Sequence, residues 1–179
     1  MILGRVFFPL LLAGLPVVGV CGEAQVFREA DTFLAEAFAA HPPQAQVLWV
    51  PQELRQELED DFGWRAGLRV RYWQDRGRTA WILDEIGKDQ PITAGVVVGD
   101  GGIERVEVLV FRESRGWEVK FPFFTDQFAG ATLASDHDLD RRIDGITGAT
   151  LSVRAMKRMA RVALRLHDET RRTTLARHP

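Results

Sequence analysis

The middle of the chain constrains the fold most, because between residues 68 and 111 its apolar periodicity is that of strands. In Leu68-Arg69-Val70-Arg71-Tyr72-Trp73 apolar and polar side chains alternate, and Thr79-Ala80-Trp81-Ile82-Leu83 follows across Asp75-Arg76-Gly77. Successive side chains of a strand point to opposite faces, so this spacing predicts a hairpin with one face turned to a core. Residues 92–98 and 103–111 repeat the arrangement across Gly99-Asp100-Gly101-Gly102. Two hairpins in succession predict an antiparallel sheet, and a sheet with an apolar face has to be covered.

Helices on either side can cover it. Val26, Phe27, Ala30, Phe33, Leu34, Ala37 and Phe38 recur at three- and four-residue spacing, which predicts a helix over 24–40 that ends at His41-Pro42-Pro43. Residues 47–50 read as a short strand, and Pro51 precedes a helix through Glu53, Leu54, Leu58 and Asp61 that stops near Gly63. An aromatic loop over 117–128 and a polar stretch over 135–142 lead to a closing helix over 151–168, with a frayed tail over 171–179. The predicted class is α+β: an antiparallel sheet built from hairpins and packed by helices, the last of them following a glycine-containing loop. The expected divisions are 1–22, an N-terminal helical and strand extension over 23–66, a main domain over 67–170 and the tail.

Residues 1–22 have the layout of a secretory signal peptide: Arg5, an almost wholly apolar run over 6–20, then polar residues from Gly22. The run is short for a membrane span, which wants about 20 apolar residues, and Pro9 and Pro16 interrupt it. Cleavage after Gly22 is the favoured reading; an uncleaved anchor and lipidation at Cys21 are the alternatives, the latter opposed by the bulk of Val20. The expected location is the periplasm or the outer face of the cytoplasmic membrane. Cys21 is the single cysteine, so the cleaved chain would have no thiol and any redox role would need a bound cofactor. A formal net charge of −2 gives no electrostatic reason to expect nucleic acid as a partner.

Most chemistry-bearing residues carry no pattern. His41, His137, His167 and His178 lack the spacing of a metal-binding helix. Asp136, Asp138 and Asp140 begin like a calcium loop, but Arg141 stands where glycine is needed and Thr147 where glutamate is needed. Gly99 and Gly101 imitate a dinucleotide fingerprint whose third glycine is Glu104, and no serine sits in a nucleophile elbow.

Asp144-Gly145-Ile146-Thr147-Gly148-Ala149-Thr150-Leu151-Ser152 is different. It is a small, hydroxyl-rich loop opening directly into a helix whose apolar positions are Leu151, Ala155, Met159, Val162 and Leu166. Free backbone N–H groups and the positive end of the helix dipole converge at such a terminus, which suits a phosphate. A capped helix with no ligand fits the same residues. Arg154, Lys157, Arg158, Arg161 and Arg165 add charge to the helix, most of them as its solvated face.

This segment resembles the flavinylation motif of the FMN-binding domain family, found in the C subunit of the sodium-translocating NADH:quinone oxidoreductase and the G subunit of the Rnf complex. In that motif an aspartate precedes a Ser/Thr-Gly-Ala-Thr core, and a flavin transferase joins the FMN phosphate to the last threonine as a phosphoester. The resemblance implies Thr150 as the attachment residue, with Asp144, Thr147, Gly148 and Ala149 around it. Glu113-Ser114-Arg115-Gly116-Trp117 is similar to the family's Glu-Thr-Pro-Gly-Leu segment at the end of a strand, which implies that Glu113, Ser114 and Trp117 line the flavin. Here Phe111 replaces a frequent histidine, Arg115 the proline and Trp117 the leucine. The resemblance covers about residues 79–166.

A near-copy, Asp126-Gln127-Phe128-Ala129-Gly130-Ala131-Thr132, lacks the Ser/Thr of the core and runs into the acidic turn at 135–140. Thr150 is preferred because a helix begins directly after it. Trp81, Trp117, Phe123 and Phe124 are candidate walls for a flavin ring, with core packing as the competing role. The function the resemblance implies is an exported electron carrier with covalent FMN, a relay protein or subunit rather than a stand-alone enzyme. Its expected partners are the flavin transferase and membrane or periplasmic redox proteins. A noncovalent FMN- or phosphate-binding module, and a flavin-dependent reductase of a small substrate, are the competing readings.

Overall fold

The computed structural model describes residues 24–177, and the side chains of residues 24–174. The expected signal segment, with Cys21, lies outside the described residues. The elements are β1 (Gln25–Val26), α1 (Ala30–Ala37), β2 (Gln46–Trp49), α2 (Gln52–Asp60), β3 (Arg69–Asp75), β4 (Arg78–Ile86), β5 (Pro91–Gly99), β6 (Gly102–Phe111), α3 (Pro122–Thr125) and α4 (Thr150–Arg177). Single 3-10 turns at Trp117–Lys120 and Asp126–Phe128 flank α3.

The strands form one antiparallel sheet in the order β1-β6-β5-β4-β3-β2. The alternation read from the sequence sets its two faces. Ala80, Val97 and Leu109 meet Phe33, Leu34, Ala37 and Phe38 of α1. Trp81, Leu83, Val96 and Val98 turn the other way and pack with Met156, Met159, Ala160 and Ala163 of α4 and Leu54 and Leu58 of α2. Cover on both faces explains why β5 is buried from Ile92 to Gly99 and carries scarcely any polar side chain. Arg165 of α4 grips Glu57 of α2 through two bonds of 2.5 and 2.8 Å and holds that carboxyl below its ordinary value.

Two boundaries differ from the sequence expectation. The helix starts at Ala30 rather than Ala24, because residues before it join the sheet edge: Gln25 and Val26 pair with Phe111 and Val110, and the N–H groups of Phe27 and Arg28 donate to Leu109 O at 2.9 and 3.2 Å. An open strand edge offers backbone partners that a helical stripe cannot match. The last helix runs on to Arg177 instead of fraying from Arg171. Thr170 is buried, Thr173 and Thr174 return their hydroxyls to the carbonyls of Glu169 and Thr170, and Arg171 reaches Asp100 at 3.4 Å.

One polar chain runs through the core. Trp81 Nε1–H donates to Thr79 Oγ1 at 2.9 Å, and Thr79 Oγ1 lies 2.8 Å from His167 Nδ1. His167 Nε2 is buried without a partner among the described residues. Burial pushes this imidazole below the ordinary histidine value; Asp168 and Asp100 oppose the shift and Arg171 adds to it. The unfolded chain therefore takes up a proton, near pH 6.5, that the folded chain refuses, so the contribution is complete above that pH and is lost as pH falls below it. The urea midpoint is expected to drop between about pH 7.5 and about pH 5.5, and to drop less in His167→Gln. An equal drop in both proteins would assign the dependence elsewhere.

Candidate functional site

The site begins where β6 ends. Glu113, two residues past Phe111, turns its carboxylate onto the β4–β5 connection, where Oε1 accepts the backbone N–H groups of Lys88, Asp89 (2.7 Å) and Gln90 (2.9 Å). Three donors on one oxygen fix that turn against the end of β6 and bring Lys88 to the site. Ser114 and Arg115 then lie exposed. Gly116 is buried with φ +86°, and a Cβ there would run into Ser152 Oγ and stand 3.4 Å from Ala149 Cβ. Only glycine combines this backbone conformation with so close an approach, so the strand-end segment is pressed onto the first turn of α4.

The two sequence motifs thus meet. Lys88, Glu113, Ser114 and Arg115 form one side of a cavity of about 490 Å³, and residues 148–152 form the other. Ala149 N–H donates to Ile146 O at 3.0 Å, and the first bond into α4 is Val153 N–H to Ala149 O at 2.9 Å. The N–H groups ahead of it, at Thr150, Leu151 and Ser152, have no partner among the described residues and are the donors left over at the helix terminus. Gly148 has φ +85°, and nothing lies within 4 Å of where its Cβ would be, so a ligand can reach this backbone directly. Thr150 is exposed, and its hydroxyl has no hydrogen-bond partner among the described residues. Arg115 has no ion pair among them, and Lys88 pairs only with its exposed neighbour Asp89 at 3.3 Å. Donors, cations and an unpartnered hydroxyl in one cavity fit a phosphate ester.

Thr150 also borders a second hollow of about 370 Å³ on the other side of α4, lined by Phe62, Asp138, Val153, Arg154, Lys157, Arg158 and Arg161. Not all these cations are a solvated face. Arg158 holds Glu85 at 2.6 Å, and Arg161 donates to His137 O at 2.5 Å and Asp61 O at 3.0 Å. Arg158, Arg161 and Arg165 are fixtures of the fold, whereas Arg154 and Lys157 have no ion pair among the described residues.

Thr132 is built differently. The Asp140 carboxylate takes both its N–H, at 3.1 Å, and its hydroxyl, at 3.0 Å, and the first of these bonds leads in holding that carboxyl below its ordinary value. A strand-like bridge between Leu133 and Leu139 follows Thr132 instead of a helix. A phosphate there would meet a negative charge and no free donor.

The remaining expected residues fall around the cavity. Thr147 is exposed and Asp144 pairs with Arg142 at 3.3 Å at the surface; neither belongs to the lining. Trp117 adjoins Gly116, but its ring packs on Phe121 rather than lining the cavity. Trp81 and Phe124 are fully buried in the core, which corrects their reading as flavin walls: each fills space between the sheet and its covering elements. Phe123 is exposed. Lys88 was not foreseen, since only the fold, through Glu113, brings it near Thr150.

Residues 87–165 match the family model described as the FMN-binding domain. The matched stretch starts at the β4–β5 turn and ends within α4, so it contains every residue lining the cavity. No curated protein and no solved structure matches the chain.

Proposed function

We propose, from the premise that residues 87–165 form an FMN-binding domain, that the chain is an exported flavoprotein whose FMN is esterified through its phosphate to Thr150 and relays electrons between membrane or periplasmic redox partners. The observation that carries this reading is the unpartnered Thr150 hydroxyl at the first turn of α4, inside the cavity where the two motifs meet. The bound flavin would supply the redox chemistry, and the residues of the chain hold and orient it.

The first-turn N–H groups of α4 would donate to the phosphate oxygens, with the helix dipole adding about 0.3–1 kcal/mol or more if the site is partly buried. Arg115 and Lys88 offset the remaining charge from the opposite wall. Glu113 acts at one remove, by holding the turn that carries Lys88. Esterification needs an FMN phosphoanhydride as donor, brought by the flavin transferase: as Thr150 Oγ1 bonds to phosphorus and loses its proton, the anhydride P–O bond breaks and the other phosphate leaves with the transferase. No carboxylate or imidazole among the described residues accepts a bond from that hydroxyl, so the proton acceptor belongs to the flavin transferase. An ester also suits export, because a reversibly bound cofactor is lost by mass action where free FMN is scarce.

Co-expression with a flavin transferase tests the reading. A protein band that keeps flavin fluorescence on a denaturing gel is the expected result. Flavin released on denaturation would favour the noncovalent module instead.

A further inference from the structure

Thr150 stands between two hollows, and the phosphate reading uses only the first. Arg115 and Lys88 face that cavity, whereas Arg154 and Lys157 line the second, on the other flank of α4, and take no part in the first. Thr150, Arg154, Lys157 and Arg161 follow at four-, three- and four-residue spacing, so they share one face of the helix. At a rise of about 1.5 Å per residue, Arg154 and Lys157 lie about 6 and about 10 Å along the axis from Thr150. Farther on, the arginines hold the fold together: Arg158 pairs with Glu85 at 2.6 Å, Arg161 with Asp138 at 3.7 Å and Arg165 with Glu57 at 2.5 Å. The two cations nearest Thr150 are the ones without an ion pair among the described residues.

The carboxylates around the site are already engaged. Glu113 Oε1 takes three backbone N–H groups, Asp138 accepts the Leu139 N–H at 2.9 Å, and Asp144 faces Arg142 at 3.3 Å. Lys88, Arg115, Arg154 and Lys157 thus surround Thr150 in a chain whose net charge is −2, so the positive excess is local. A local excess of one sign steers and orients a partner of the other sign. Bond formation at Thr150 Oγ1 brings the active site of the flavin transferase onto the start of α4, and the enzyme has to rest on the surface that flanks it. The phosphate would engage Lys88 and Arg115; Arg154 and Lys157 remain for the enzyme.

We propose that Arg154 and Lys157 dock the flavin transferase, through carboxylates on the rim of its active site that enter the hollow beside Thr150. This rests on the ester at Thr150 and adds which face the enzyme reads and by what chemistry. Initial rates of flavin incorporation into the purified, unflavinylated full chain test it, with the transferase and its phosphoanhydride donor supplied and the acceptor concentration varied. Arg154→Gln combined with Lys157→Gln should raise the KM for the acceptor about ten-fold, change kcat far less, and flatten the rise of KM between about 50 and about 300 mM salt. Arg154→Lys combined with Lys157→Arg keeps both charges and should restore the original KM. Arg69→Gln combined with Arg76→Gln removes two charges from β3 and the turn after it, and should leave KM unchanged. An unaltered chain that takes no flavin at Thr150 would overturn the ester and this contact together. Flavin at Thr150 with an unchanged KM in the Arg154/Lys157 variant, an equal rise in the Arg69/Arg76 control, or a fall in kcat alone would overturn the contact and leave the ester standing.

Discussion

Replacing Thr150 by alanine is expected to remove covalent flavin completely, in a protein that still folds. The hydroxyl is the atom the ester would join, and Ser152, the next hydroxyl along α4, is buried against Gly116. Thr150 is exposed and its hydroxyl makes no hydrogen bond among the described residues, so loss of that hydroxyl should change stability by no more than about 0.5 kcal/mol. Thr150→Ser keeps the hydroxyl and should retain part of the flavin. Thr132→Ala should retain all of it, because that hydroxyl is already bound to Asp140 and faces its charge. Denaturing-gel fluorescence reads all three variants, and circular dichroism confirms that each is folded. Flavin retained at full level in Thr150→Ala would place the attachment elsewhere.

Trp81→Ala is expected to have the largest effect on stability. The ring is wholly buried between β4 and α4, and truncating a buried tryptophan typically costs about 3–5 kcal/mol. The loss also strips Thr79 Oγ1 of a donor at a point where His167 Nε2 already lacks a partner. Against a usual total of about 5–15 kcal/mol this is a large fraction, equivalent to roughly 6–20 °C in melting temperature for a domain of this size. If Trp81 instead formed a wall of the flavin site, the melting temperature would hold and the flavin spectrum would shift. Thermal unfolding of the flavin-free proteins separates the two outcomes.

Trp81, open between a flavin wall and the core in the sequence and buried in the core in the structure, shows what sequence can and cannot disclose here. Period-two alternation placed Ala80 and Trp81 on opposite faces, and that part is physical and local; the hairpins at 69–86 and 91–111 follow from it. Which face receives a helix and which a ligand depends on elements far away in the chain, so an aromatic residue on a strand has no sequence mark of its role. The same limit explains Ala24–Val26, whose helical spacing yields to the edge of β6, and Arg171, which gains Asp100 as a partner only once α4 lies across the sheet. The start of α4 at Thr150 was legible because glycine, hydroxyl and helix start are consecutive, so one segment builds this helix terminus. Lys88 was not, because its place depends on Glu113, 25 residues later, binding the backbone around it.

Peptide mass mapping after trypsin tests attachment most directly. Cleavage at Arg142 and Arg154 isolates residues 143–154 with Thr150, and cleavage at Lys120 and Arg141 isolates 121–141 with Thr132. With protein matured by a flavin transferase, the mass of one esterified FMN should appear on 143–154 and be absent when Thr150 is alanine. The same mass on 121–141, or on neither peptide, would contradict a flavin ester at Thr150.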